Sequence, residues 1–148
     1  VYSLAAYYNA ILNKTKLPEY EWDVQEDGSI KVTTETRPKQ VLLWQCTNSE
    51  TRDFRIETTG KTWTSRKLRP VSRGTYVGKV PEPEKGWTAF MVELTYAEPI
   101  KRGTSTRRGG RLGQATGRVG APFKFTTGIN VLPEKLPFEF KTMPIPHR

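Results

Sequence analysis

The sequence predicts a mainly β protein: one N-terminal helix followed by an antiparallel sandwich of two sheets. Three observations carry that expectation. Residues 1–13 alone show helical periodicity, with Val1, Leu4, Ala5, Tyr8, Ile11 and Leu12 at i, i+3, i+4, i+7 spacing. From Pro18 onward, short apolar alternations recur between Gly, Pro and Asp-Gly turn signals. No stretch alternates strand and helix, which argues against a parallel sheet. Seven or eight short strands at this spacing point to an immunoglobulin- or fibronectin-III-like sandwich.

The elements follow in order. Asn13 and Pro18 end the helix. Asp27-Gly28 turns a hairpin between EWDVQE and SIKVTTE, with Trp22, Val24, Ile30 and Val32 in alternation. VLLWQCT is expected as a central strand, its Trp44 filling the space between the sheets as the Trp of an antibody domain does. DFRIETT is expected as a strand alternating through Phe54 and Ile56, and TWTSRKL and GTYVGKV as two weaker ones. WTAFMVELTY is the strongest: Thr88, Phe90, Val92, Leu94 and Tyr96 share one face. PFKFTTGINVL closes the sheet as one strand, with Phe123, Phe125, Thr127, Ile129 and Val131 in alternation.

The division expected is a helix and linker at 1–17, a sandwich at 18–138 and a Pro-rich tail at 139–148. The stretch KRGTSTRRGGRLGQATGRVG, residues 101–120, falls between the two longest strands. Antiparallel neighbours need only two to five connecting residues, so it reads as an insertion in a hairpin. Its Lys101, Arg102, Arg107, Arg108, Arg111 and Arg118 supply six of the net +9, leaving +3 for the remaining residues. It has no aromatic ring to stack on bases, as single-strand binders usually do, so the solvated-loop reading outweighs nucleic-acid binding.

Composition narrows the function classes. The 148 residues, 35% of them hydrophobic, can build one core but contain no membrane-spanning run. VYSLAAYYNAIL lacks the basic start of a signal peptide and no initiator Met precedes it, which reads as a piece of a longer or processed protein. Cys46 is the only cysteine, so no intrachain disulfide forms, and its apolar surroundings favour an inert buried thiol. His147 is the only histidine and stands in the tail, a poor place for a triad. No nucleophile elbow, zinc-spaced His pair, Walker loop or EF-hand is present. The expectation is therefore no catalytic residue, no metal and no cofactor. Trp63 and Trp87, near strand ends, are candidates for a glycan platform, although core or interface packing is the plainer reading. Arg107, Arg108 and Arg111 are the candidates for polyanion contact.

Four blocks carry a family likeness: LAAYYNAILNKTKLPEYEWDVQEDGSIKV, VLLWQCTNSETRDFRIETTGKTW, YVGKVPEPEKGWTAFMVELTY and APFKFTTGINVLPEKLPF. In this order they resemble the C-terminal portion of PhoPQ-activated pathogenicity-related proteins, a virulence-related family to which autocrine proliferation repressors are similar. The resemblance implies an α/β-hydrolase-like domain upstream in the same polypeptide, with its catalytic residues there, and a periplasmic or secreted setting. It implies that residues 1–13 close the hydrolase-like domain, with Leu4, Tyr8, Ile11 and Leu12 lining the junction. This chain would then be a non-catalytic accessory domain. The alternative is a module binding glycans or polyanions. Residues 101–120 depart from the family pattern, where a shorter turn is expected.

Overall fold

The computed structural model describes residues 2–12, 14–97 and 122–136. After helix α1 (Tyr2–Leu12), the chain forms β1 (Tyr20–Val24), β2 (Ile30–Thr34) and β3 (Gln40–Asn48). A single helical turn, α2 (Ile56–Thr59), precedes β4 (Thr64–Lys67), β5 (Thr75–Gly78), β6 (Trp87–Tyr96), β7 (Phe123–Thr126) and β8 (Asn130–Leu132). Every pairing is antiparallel. One sheet has the order β1-β2-β5; the other runs β4-β3-β6-β7, with β8 also on β6. The protein is a mainly β, two-sheet sandwich with an N-terminal helix.

The strand pleat explains which residues meet between the sheets. Ile30 and Val32 of β2 and Tyr76 of β5 face Val41 and Leu43 of β3 and Phe90, Val92 and Leu94 of β6, all buried in one core. Burying each large apolar side chain contributes about 1.5–3 kcal/mol, so these positions dominate folding. The sheets pack closely at Gly78, where a Cβ would lie 2.7 Å from Val92 Cγ2 and 3.0 Å from Leu43 Cδ1. The Asp27-Gly28 hairpin forms as its sequence indicates. Gly28 takes φ +75°, its N–H donates to Gln25 O at 2.9 Å, and Gln25 N donates to Ser29 O at 2.8 Å. This is a turn whose left-handed position favours glycine.

Three sequence expectations are corrected. DFRIETT is no strand, because its polar side chains capture the local backbone. Asn48 Oδ1 accepts the N–H of Glu50 and of Thr51, and Asp53 accepts the N–H of Arg55 and the hydroxyl of Thr58. Such bonds compete with a sheet ladder, and α2 forms instead. Trp44 does not stand between the sheets. It alternates with the core residues Val41 and Leu43 and lies opposite Met91, on the outer face of its sheet.

The third correction concerns PFKFTTGINVL, which is two strands. Leu94 pairs with Phe125 and Glu93 with Thr126, but Phe90 pairs with Asn130 and Ala89 with Val131. The register slips by one residue across Thr127–Ile129, which is a β-bulge. The slip inverts the faces beyond it. Phe123 and Thr127 are buried, Ile129 is 59% exposed, and Leu132 rather than Val131 packs against the core.

Candidate functional site

Among the described side chains of helix α1, Ala10 is the one that is buried. Ala10 is 3% exposed and belongs to the core, and the helix packs against β7. It ends where Lys14 turns to φ 50°, with Lys14 N donating to Ile11 O and Thr15 N to Ala10 O. A left-handed residue after the last turn is a common helix stop. The large apolar side chains described on the helix stay outside. Leu4, Tyr8, Ile11 and Leu12 are 61, 60, 52 and 80% exposed, and Tyr7 is exposed beside them. The four residues expected at a domain junction thus share one uncovered helix. Scattered exposed apolar residues are ordinary, but a contiguous apolar patch marks an interaction surface.

The two tryptophans proposed for glycan stacking are not joined in one platform. Trp63 is half-buried before β4, and its indole N–H donates to Phe54 O at 3.2 Å. Trp87 is half-buried at the start of β6 and donates to Lys135 O at 2.8 Å. Trp87 shares a shallow depression of about 430 Å³ with Glu50, Glu82 and Glu84, and Trp63 does not line it. Trp22, which the sequence placed only in a strand, is the more exposed at 44%, and its ring lies over Gly128 of the bulge. Arg107, Arg108, Arg111 and His147 lie outside the described residues, as do residues 101–120 and the tail 139–148. Cys46 is buried, with Sγ 3.2 Å from Thr62 Oγ1.

The electrostatics of the sandwich are local. Asp27 accepts from Lys79 Nζ at 2.7 Å and from Ser29, which holds its carboxyl well below the usual carboxylate range. Asp53, bound to Arg55 at 2.6 Å and to Thr58, is held down in the same way. Both pairs are exposed and tie loops rather than prepare a proton donor. At the other end of the sandwich, Lys16 pairs with Glu19 at 2.9 Å. Lys16 lowers the Glu19 carboxyl, while the neighbouring Glu19 raises that of Glu35.

One basic concavity was not legible in the sequence. A cleft of about 590 Å³ opens where β2 ends, β3 begins and β4 crosses to β5, and Arg37, Lys39, Lys67 and Arg73 line it. These cations are scattered along the chain in loops and at strand ends, so no local motif announces them. Among the described residues, no cluster of His, Cys, Asp or Glu could hold a metal ion. No described helix is long and apolar enough to cross a membrane.

Residues 1–55 match the family model described as PhoPQ-activated pathogenicity-related protein. The chain resembles that family over α1, β1, β2 and β3, which include the exposed helix and the first strands of both sheets. No curated protein and no solved structure matches the chain.

Proposed function

We propose that this chain is a non-catalytic accessory β-sandwich domain of an α/β-hydrolase-like protein. It packs on the catalytic domain through Leu4, Tyr8, Ile11 and Leu12, and by its position shapes access to that domain's active site. The observation that carries the reading is the exposed apolar face of α1 within the segment that matches the PhoPQ-activated family. The hydrolase-like partner, upstream in the same polypeptide, and an exported setting come from the family resemblance. The strand order supports an immunoglobulin- or fibronectin-III-like assignment. Lettered along the chain, β1, β2 and β5 take the places of strands A, B and E, while β3, β6 and β7 form the C-F-G sheet, with β4 at its edge.

Turnover measurements test the non-catalytic part. The chain is expected to hydrolyse p-nitrophenyl esters and peptide amides no faster than buffer. Turnover that a point substitution within the sandwich abolishes would sink the reading. A glycan- or polyanion-binding module on Trp63, Trp87, Arg107, Arg108 and Arg111 has less support, since the two indoles stand apart and are tied to backbone carbonyls.

A further inference from the structure

The cleft at the β2–β3 end of the sandwich has the composition of a ligand site. Arg37, Lys39, Lys67 and Arg73 line it, and Glu35 is its one carboxylate. None of the four cations is within ion-pair distance of an acid among the described residues, where the ion pairs are Lys16–Glu19, Arg55–Asp53, Lys79–Asp27 and Lys124–Glu93. Like charges gathered around one concavity repel each other, and a bound anion relieves that repulsion. Glu35 is a single carboxylate among four cations, so it offsets only part of that repulsion.

The cleft is also shaped, unlike a flat basic surface. Leu68 is half-buried and Tyr76 is 8% exposed, and together they give it an apolar floor. Buried Pro38 helps wall one side. The opposite wall is pinned to β2, since Thr34 N donates to Gly74 O at 2.8 Å and Thr34 Oγ1 donates to the same carbonyl at 3.2 Å. Its volume falls within the range of small-ligand sites, roughly 300–1,000 Å³. Two guanidinium groups bring planar donors that match tetrahedral oxyanions two bonds at a time.

We infer that this cleft binds a small, multiply charged oxyanion ligand on a carbon frame: a phosphorylated or sulfated saccharide unit. Arg37 and Arg73 grip the anionic groups, Lys39 and Lys67 add charge, and Leu68 and Tyr76 receive the carbon frame. The site stands independently of how α1 is covered.

The test is isothermal titration of the full chain with three probes: inorganic phosphate, glucose 6-phosphate and a heparin-derived sulfated disaccharide. Saturable one-to-one binding of glucose 6-phosphate or the disaccharide, tighter than inorganic phosphate, is expected, and which of the two binds distinguishes phosphate from sulfate. Replacing both arginines, Arg37→Ala with Arg73→Ala, is expected to weaken binding at least about tenfold, as losing one or two charge-assisted hydrogen-bond sets does. Changing Arg107, Arg108 and Arg111 to Ala together is expected to change it less than about twofold, because the assignment rests the binding on the cleft's own cations. Should the first variant not fold, Arg37→Lys with Arg73→Lys keeps the charge and loses the paired donors, and the same weakening in direction is expected. Inorganic phosphate binding as tightly as either ester, no saturable binding of any probe, or equal loss in the cleft and 107/108/111 variants would overturn the assignment.

Discussion

The Thr127 hydroxyl accepts the backbone N–H of Val92 at 3.0 Å, and Thr127 N donates back to Val92 O at 3.0 Å. A side chain therefore takes the place of a ladder bond at the bulge that separates β7 from β8. The same hydroxyl donates to Gly128 O at 2.9 Å. Val92 is fully buried and Thr127 is 5% exposed, so no water replaces the bond. Thr127→Val is expected to cost about 1–3 kcal/mol, the penalty of leaving a buried donor unmatched. Urea unfolding measures it, and Thr127→Ser should retain most of the stability. Equal losses for the two variants would mean that the methyl group, not the hydroxyl, matters.

Gly78 leaves no room for a side chain between the two sheets. A methyl group there meets Val92 and Leu43 at 2.7 and 3.0 Å, both side chains of the buried core. Gly78→Ala is expected to destabilise by about 1–3 kcal/mol through overpacking. Adding Val92→Ala should recover part of that loss in a double-mutant cycle, because it opens the space the new methyl needs.

Tyr96 carries a cost that the fold tolerates. Its ring is 1% exposed and packs edge-on to Phe125 at 6.0 Å, yet its hydroxyl has no hydrogen-bond partner among the described residues. Burial, with smaller contributions from Tyr20 and Tyr76, pushes its pKa up to about 12. The folded value lies above the unfolded one. Its contribution to stability is therefore fully present below about pH 10 and is lost as pH rises toward the folded value. Tyr96→Phe should be neutral or stabilising by about 1 kcal/mol at pH 7, because it removes an unpaired polar group. It should also flatten the alkaline fall in stability, which urea midpoints between pH 8 and pH 11 will show.

Asp27 works in the opposite pH direction. Lys79 first, and Ser29 after it, hold its carboxyl below its ordinary value. Its stabilisation is present above the unfolded value of about 3.9 and is lost as pH falls below that. Asp27→Asn should lower the thermal midpoint at pH 7 and narrow its difference from the midpoint at pH 2.5. Salt should shrink the effect, since the pair is exposed.

The elements that the sequence made legible share a simple physical signature. WTAFMVELTY could be read correctly because one face, from Thr88 to Tyr96, is buried along its whole length, so alternation and burial coincide. The Asp27-Gly28 turn was legible because glycine is the residue that its φ favours. The bulge was not, since Thr127-Gly128 keeps the polarity of a strand while shifting the register. DFRIETT failed for a related reason: Phe54 and Ile56 alternate, but Asn48 and Asp53 claim the backbone first. At the candidate junction, Leu4, Tyr8, Ile11 and Leu12 were legible as an apolar stripe. That Ala10 would be the face turned inward was not, because a small residue adds little to periodicity. The basic cleft was hidden because its four cations come from two separate connections and a strand end.

Hydrogen exchange along α1 tests the accessory-domain account most directly. It would be compared in this chain and in the same chain extended upstream to include the hydrolase-like domain proposed to precede it. The account predicts that amides of Leu4–Leu12 exchange rapidly in the shorter chain and gain protection in the longer one. It also predicts that Ile11→Glu with Leu12→Glu, harmless to the sandwich where both side chains are exposed, abolishes that gain. Equal exchange in the two chains, or a gain that survives the double substitution, would contradict it.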